Sequence, residues 1–296
     1  MNKKEVVLVV GLGEVGAALF EVLNESGKFD VYGFDVDIEK TKLFSGGREL
    51  PKTIDVMHLC FPCTRKESFV KATIDLIKRF CPKLVVVEST VSPGTTREIY
   101  EATHVHIAHS PILGMHETRG TMKEDIRYWP KYVGGTTDTA AKETKKHFKK
   151  LGLTVVILKG STESELAKLF ETTYRAWMIA CFQEMHRIAL GYNASFLDAI
   201  RIVADVHRVR RDRPIFFPSV IGGHCLIPNA ELLLKSYNSD FLRVLLASNE
   251  KRKREIRDPK IRQEVEQAKK LASDVMTPLD TKPQAKAAKK SNSANC

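Results

Sequence analysis

The sequence predicts an α/β fold: a doubly wound Rossmann domain followed by an all-helical domain built on a long central helix. Three observations predict it. Short β-branched runs alternate with helix-like stretches to about residue 160, the pattern of βαβ units and a mostly parallel sheet. A glycine-rich turn joins the first strand to the first helix. Beyond residue 160 the apolar period becomes helical and stays so.

Strands are expected at 5–10, 30–35, 54–60, 84–88, 104–108, 131–134 and 154–158, with helices at 14–26, 66–80 and 138–151 among their connections. Glu5 to Val10 is an apolar run of strand length, followed at once by Gly11-Leu12-Gly13-Glu14-Val15-Gly16 and the helix-forming Ala17 to Asn24. In such a turn the first glycine makes the bend, the second lets the backbone approach a pyrophosphate, and the third lets helix pack on strand. The helix N-terminus then offers its unpaired N–H groups to phosphate. Gly11, Gly13, Glu14, Val15 and Gly16 are therefore cofactor-binding candidates. Asp35 closes the second strand roughly twenty residues beyond the glycines, where a ribose 2′-hydroxyl would sit. Asp35 and Asp37, without an arginine beside them, predict NAD, because a 2′-phosphate would be repelled.

Thr162-Glu163-Ser164-Glu165 fits a capping box. Leu166, Phe170, Thr173, Trp177, Cys181 and Ile188 follow at helical spacing, which predicts one long helix to about Gly191 with mostly core apolar positions. Further helices are expected over Ser195–His207 and Asn229–Asn249. From residue 250 the sequence turns to charge. Glu250 to Ser273 reads as an exposed helix interrupted early by Pro259, and Thr277 to Cys296 as a disordered basic tail. The expected domains are 1–160, 161–250 and 251–296.

With 296 residues, 43% of them hydrophobic, the chain can bury two modest domains. No run reaches the apolar length of a membrane span, and the chain opens on a strand rather than a signal peptide, which predicts a cytoplasmic protein. Cys60, Cys63, Cys81, Cys181, Cys225 and Cys296 form no disulfide framework. Cys60-Phe61-Pro62-Cys63 has no second ligand pair, so no metal site is expected. Of the formal net charge of +11, most lies from Lys251 onward, where 13 Lys/Arg face 6 Asp/Glu. The body shows no basic stripe interleaved with aromatics, so specific nucleic-acid binding is not expected.

One tetrapeptide carries reactive chemistry: Gly222-Gly223-His224-Cys225, inside Pro218 to Pro228. Cys225 reads either as a buried, inert thiol or as a nucleophile able to carry an aldehyde onward as a thiohemiacetal.

Four blocks resemble the nucleotide-sugar dehydrogenases, the family that oxidises UDP-glucose, UDP-N-acetylmannosamine or GDP-mannose at C6 with NAD. They are Gly11 to Gly16, Val87-Glu88-Ser89-Thr90-Val91-Ser92-Pro93-Gly94-Thr95-Thr96, Glu165 to Arg175, and Gly222 to Cys225, in matching order over roughly residues 1–246. The resemblance implies that Cys225 attacks the aldehyde formed by a first hydride transfer, and that a second leaves a thioester for water. It implies that Lys168 supports the oxyanion or the proton transfer, and that Thr90 stands beside nicotinamide and substrate. Thr172, Arg175, Gly222, Gly223, His224 and Asn229 are the implied substrate contacts; Lys168, Thr172 and Arg175 share a helix face. A homodimer through helix 162–191 is also implied.

The chain departs from the family pattern where Thr172 replaces an asparagine, Asn229 an acid and Ile112 a glutamate. No counterpart of the family's C-terminal nucleotide-binding domain follows, which implies a short form. Two other readings fit parts of the pattern: a single-step β-hydroxyacid-type dehydrogenase, and a catalytically degenerate NAD-binding module.

Overall fold

The computed structural model describes residues 4–114, 119–223 and 225–275. The expected basic tail from Thr277 and the candidate His224 lie outside the described residues. The chain divides into two compact units, residues 1–172 with 229–238, and residues 173–228 with 239–296.

In the first unit, seven strands form one sheet: β1 (Glu5–Val10), β2 (Phe29–Phe34), β3 (Val56–Leu59), β4 (Leu84–Val87), β5 (His106–His109), β6 (Lys131–Gly135) and β7 (Val155–Ile157). Their order is β2-β1-β3-β4-β5-β6-β7. β1 to β5 run parallel, β6 pairs antiparallel with β5, and β7 parallel with β6. All seven expected strands form. Between them lie α1 (Glu14–Glu25), α2 (Ile38–Ser45), α3 (Lys66–Phe80), α4 (Thr95–Thr103), α5 (Arg119–Tyr128) and α6 (Asp138–Lys150). The helix expectations did not include α2, α4 and α5. The first of these is only eight residues long, set by an Asp37 cap on Glu39 N and a left-handed Gly46 rather than by an apolar stripe.

β1 is apolar on both faces because both are covered. Val7 and Val9 pack into one core with Leu19, Leu23 and Phe148; Leu8 and Val10 into another with Met57, Leu59 and Ile107. The strand order reverses between β1 and β3, so the crevice outside their carboxyl ends is the place where such sheets hold ligands.

A buried polar chain crosses one face of the sheet. Lys131 Nζ lies 2.6 Å from Glu88 Oε2 and 2.7 Å from Ser110 O. Glu88 Oε1 lies 2.9 Å from His58 Nδ1, and His58 Nε2 lies 3.0 Å from His147 Nε2. His109 is also buried, with Nε2 3.1 Å from Ser89 O and Nδ1 2.9 Å from Ser164 Oγ. A carbonyl only accepts, so Nε2 carries the hydrogen and Nδ1 accepts from Ser164.

Burial pushes both His109 and His147 down to about 4 from the ordinary 6.5. Below 6.5 the unfolded chain takes up protons that the folded chain refuses. The contribution of each histidine is therefore whole above 6.5 and lost as the pH falls toward 4, at about 3 kcal/mol apiece. Urea denaturation is expected to show a midpoint falling steeply between about pH 6.5 and 4.5. A midpoint flat across that interval would contradict it.

The helix α7 (Ser161–Gly191) runs as one element. It begins at Ser161, so the capping box expected at Thr162 does not form: Thr162 already lies inside the helix and the Glu165 carboxylate bonds elsewhere. Its buried residues are Ser161, Ser164, Glu165, Leu169, Thr172, Thr173, Ala176, Phe182, Gln183, His186 and Ala189. Phe170 (53% exposed), Cys181 and Ile188 (54%), expected in the core, face outward instead. The helix carries two apolar stripes, and the sequence period alone does not say which is covered.

The second unit holds most of α7 with α8 (Phe196–Arg210), α10 (Asp240–Glu255) and α11 (Pro259–Val275), while α9 (Leu226–Ser236) starts at its boundary. The single helix expected over 229–249 is broken after Ser236, and Ser239 caps a new one through Leu242 N. The interruption expected near Pro259 occurs: α10 ends at Glu255 and Pro259 opens α11, where a first-turn N–H has no partner to lose. α11 packs Val265, Ala268, Ala272 and Val275 with Phe196, Ile200 and Ala204 of α8. Arg252 was expected on a solvated charged face. It is fully buried, its guanidinium 3.2 Å from His186 Nδ1 and 3.0 Å from Gln183 O, with His186 Nε2 2.8 Å from Glu264. Among the described residues no helix is long and apolar enough to cross a membrane.

Candidate functional site

The glycine turn is built as a cradle. Gly11 has φ +85°, and a Cβ there would come within 2.7 Å of Phe61 N in the β3 loop. A Cβ on Gly16 would stand 1.8 Å from Gly11 O, whereas one on Gly13 would meet no protein atom within 4 Å. The first and third glycines are thus required by the protein's own packing, and the second opens onto free space at the start of α1. Asp35 is pinned beside them: Oδ2 accepts from Leu12 N at 2.6 Å and Oδ1 from Asp37 N at 2.9 Å. Glu14 opens α1 exposed, and Val15 packs against the core. An exposed helix N-terminus, an open glycine and a carboxylate at the next strand end fit the pyrophosphate and ribose of a dinucleotide.

The loop after β4 carries Thr90, half-buried. Ser89 ties that loop to the cofactor crevice by donating from Oγ to Phe61 O at 2.6 Å. Two turns of α7 then dock at the same edge of the sheet. Ser164 bonds His109, and Glu165 accepts from Gly94 N (2.6 Å), Thr96 N (2.8 Å) and Thr96 Oγ1 (2.6 Å). Lys168, one turn on, is 15% exposed at its side chain, and its charge reaches His109, helping to hold that imidazole neutral. Thr90, Lys168 and the cradle therefore belong to one unit.

Two of the departures from the family pattern meet. Asn229 Nδ2 donates to Thr172 Oγ1 at 3.1 Å, and that hydroxyl lies 3.1 Å from Leu169 O and 3.2 Å from Lys168 O. Both side chains are buried. Ile112, where the family has a glutamate, is buried in the apolar core of the first unit. Arg175, on the same helix face by spacing, is exposed.

In the second unit the cysteine loop is held by backbone bonds to polar side chains. Ile221 N donates to Asn249 Oδ1 at 2.7 Å, Asn249 Nδ2 to Ile221 O at 3.2 Å, and Gln183 Nε2 to Ser219 O at 2.6 Å. Gly222 and Gly223 are exposed, and Gly223 takes φ +79°. Cys225 is half-buried and immediately precedes Leu226, the first residue of α9, where unpaired helix N–H groups favour negative charge. Sequence reasoning missed Gln183 and Asn249, and gave Glu165 only a local capping role. The available signal was a polar residue at a core phase of an amphipathic helix.

A mostly parallel sheet with a glycine cradle at its switch point, followed by helices around one long helix, defines a Rossmann-type dinucleotide-binding protein. More narrowly, residues 162–251 match the model for the central domain of the UDP-glucose/GDP-mannose dehydrogenase family. It is 25% identical to a UDP-N-acetyl-D-mannosamine dehydrogenase of Pyrococcus horikoshii, over 83% of this chain and 68% of that protein. To one of Methanocaldococcus jannaschii it is 25% identical, over 82% and 65%. The chain thus spans about two thirds of the length of these curated relatives.

Among solved structures, the Pyrococcus horikoshii UDP-D-ManNAc dehydrogenase superposes with a TM-score of 0.67 at 24% identity, covering 83% of this chain and 68% of that one. A Mycobacterium tuberculosis 3-hydroxyisobutyrate dehydrogenase does so with 0.62 at 15% identity, covering 86% and 95%. At these identities the structural likeness concerns the fold.

Proposed function

We propose that this protein is an NAD-dependent oxidoreductase acting on a CH–OH group, and that it oxidises a nucleotide-activated sugar at C6 through Cys225. The observation that carries the reading is the family's central domain at 162–251, which contains both Lys168 and Cys225 and follows an intact dinucleotide cradle. In this reading residues 1–160 bind the dinucleotide, 161–250 bring the substrate chemistry, and 251–296 add a charged helix and basic tail.

Gly11, Gly13, Glu14, Val15 and Gly16 hold the pyrophosphate at the α1 N-terminus, and Asp35 takes the ribose hydroxyls, excluding a 2′-phosphate by charge. Bound NAD supplies a hydride acceptor for each oxidation. Thr90 orients the alcohol. The Lys168 ammonium stabilises negative oxygen as the alcohol proton leaves and again when the thiolate adds to the aldehyde carbonyl. Cys225 forms the C–S bond, and a second oxidation leaves a thioester that water cleaves, returning the thiol. Thr172, Arg175, Gly222, Gly223, His224 and Asn229 are the substrate contacts that the family resemblance implies. Asn229, a neutral amide bonded to Thr172, holds its place by hydrogen bonding and is no base for that water.

The expected result with a panel of UDP- and GDP-sugars is two NADH per sugar, with acid formation abolished by Cys225→Ser. One NADH per substrate, unaffected by that substitution, would replace this reading with the single-step dehydrogenase, a fold shared by the 3-hydroxyisobutyrate enzyme.

The reading places the protein in the cytoplasm, as a homodimer through α7. Tyr174, Cys181 and Ile188 lie a heptad apart on an exposed stripe, and Trp177 meets the exposed Phe241 of α10 edge-on at 5.8 Å. Tyr174→Glu with Ile188→Glu is expected to halve the mass in light scattering; a parent that is already a monomer would refute the dimer.

A further inference from the structure

We propose that Glu165 is a positioning residue, whose carboxylate clamps the turn of α7 carrying Lys168 to the loop carrying Thr90. The inference rests on the dehydrogenase reading and deepens it, since Glu165 and Thr96 are fully buried and act through the elements they join.

Glu165 is fully buried, and its carboxylate accepts three bonds at 2.6, 2.8 and 2.6 Å from Gly94 N, Thr96 N and Thr96 Oγ1. A carboxylate that deep in the protein is tolerated only where donors replace its water. The start of α4 supplies them. That helix has no side-chain cap of its own, because its N-cap is Gly94, at φ +84°. Thr95 N bonds Ser92 O locally, but Gly94 N and Thr96 N would be orphaned without a partner from elsewhere. The partner comes from 71 residues away along the chain. Capping α4 and fixing α7 are therefore one and the same interaction.

The geometry makes this a register device. Thr90 lies in the short loop between β4 and the capped end of α4, and Lys168 follows Glu165 by three residues, on the same helix face. Holding the carboxylate on Gly94 and Thr96 fixes the rotation and axial position of α7 relative to Thr90. Neighbouring contacts permit no slack: Ser164 Oγ lies 2.9 Å from His109 Nδ1, and a Cβ at Gly134 would strike Gly160 O at 2.1 Å. Burial raises the Glu165 carboxyl above its usual range; the Thr96 and Gly94 bonds and the Lys66 charge oppose the rise without cancelling it.

The test is Glu165→Gln, with Thr96→Val as a milder second variant that keeps both backbone donors. A glutamine turns its NH2 toward at least one N–H or O–H donor, so the clamp opens on that side. Misplacement by about 1 Å costs on the order of 100-fold in turnover. For Glu165→Gln, kcat with a nucleotide sugar is therefore expected to fall about 100-fold, and for Thr96→Val about 10-fold. NAD Kd, read by NADH fluorescence, stays within about threefold, because the cradle is untouched. The Gly94 and Thr96 amides are expected to exchange hydrogen faster in Glu165→Gln. A merely structural role would lower stability without separating kcat from NAD affinity.

A folded Glu165→Gln with parental kcat overturns the proposal. Should that variant fail to fold, Thr96→Val decides by the same split: unchanged kcat overturns the clamp, and a lowered kcat with parental NAD affinity supports it. A parent that forms no NADH with any nucleotide sugar overturns the dehydrogenase reading itself and removes the catalytic role of Glu165 with it. Faster exchange at Gly94 and Thr96 would still report the contact.

Discussion

Lys131→Met is expected to destabilise the first unit by about 3–5 kcal/mol, the usual cost of breaking a buried ion pair from one side. The Lys131 and Glu88 side chains are 4% and 0% exposed and meet at 2.6 Å. Burial alone would push the Glu88 carboxyl up. The Lys131 charge, then the His58 bond and charge, outweigh it and hold the group below the usual carboxylate range. Without the ammonium, the remaining carboxylate must either stay charged in the interior or take a proton. Either course moves the cost onto β4. Pairing the change with Glu88→Gln removes the orphaned charge, so the double variant is expected to recover most of the loss. Amide exchange in β4 and β6 reads the effect locally. A single variant as protected as the parent, or a double variant no better than the single, would contradict this account.

The same cluster shows where sequence reading stops. Strands were legible because β1, β3 and β4 are apolar runs buried on both faces, and the cradle because its glycines sit between a strand and a helix. His58, Glu88, Lys131 and His147 come from three elements and the loop after β4, and no local period marks them as one group. Glu165 misled for a related reason. Its spacing from Thr162 suits a local capping box, yet a farther helix end offered three donors instead of one. Thr172 and Asn229, 57 residues apart, read as separate losses of family side chains. The structure joins them in a single hydrogen bond between α9 and the long helix. Arg252 sits in a run of charges that composition assigns to solvent, and only tertiary contact with His186 and Gln183 reveals it as core.

The second large effect separates two glycines that the fingerprint treats alike. Gly13→Ala is expected to leave stability near the parental value while weakening NAD binding by about 10-fold or more, at least about 1.4 kcal/mol. Its Cβ would meet no protein atom within 4 Å, and its φ of −73° suits any residue. The modest loss from a poorer N-cap is offset by the smaller entropy of the unfolded chain. Any lost affinity must then arise from a ligand occupying that open space. Gly16→Ala behaves differently. Its Cβ would lie 1.8 Å from Gly11 O, a backbone atom of a residue whose own φ of +85° and contact with Phe61 N leave it little room to retreat. That variant is expected to lose about 1–3 kcal/mol of stability through overpacking, and its NAD affinity along with it. Thermal melts and NADH fluorescence on the two proteins distinguish the cases. If Gly13→Ala bound NAD like the parent, the pyrophosphate would not lie over Gly13, and the cradle would be a packing device only.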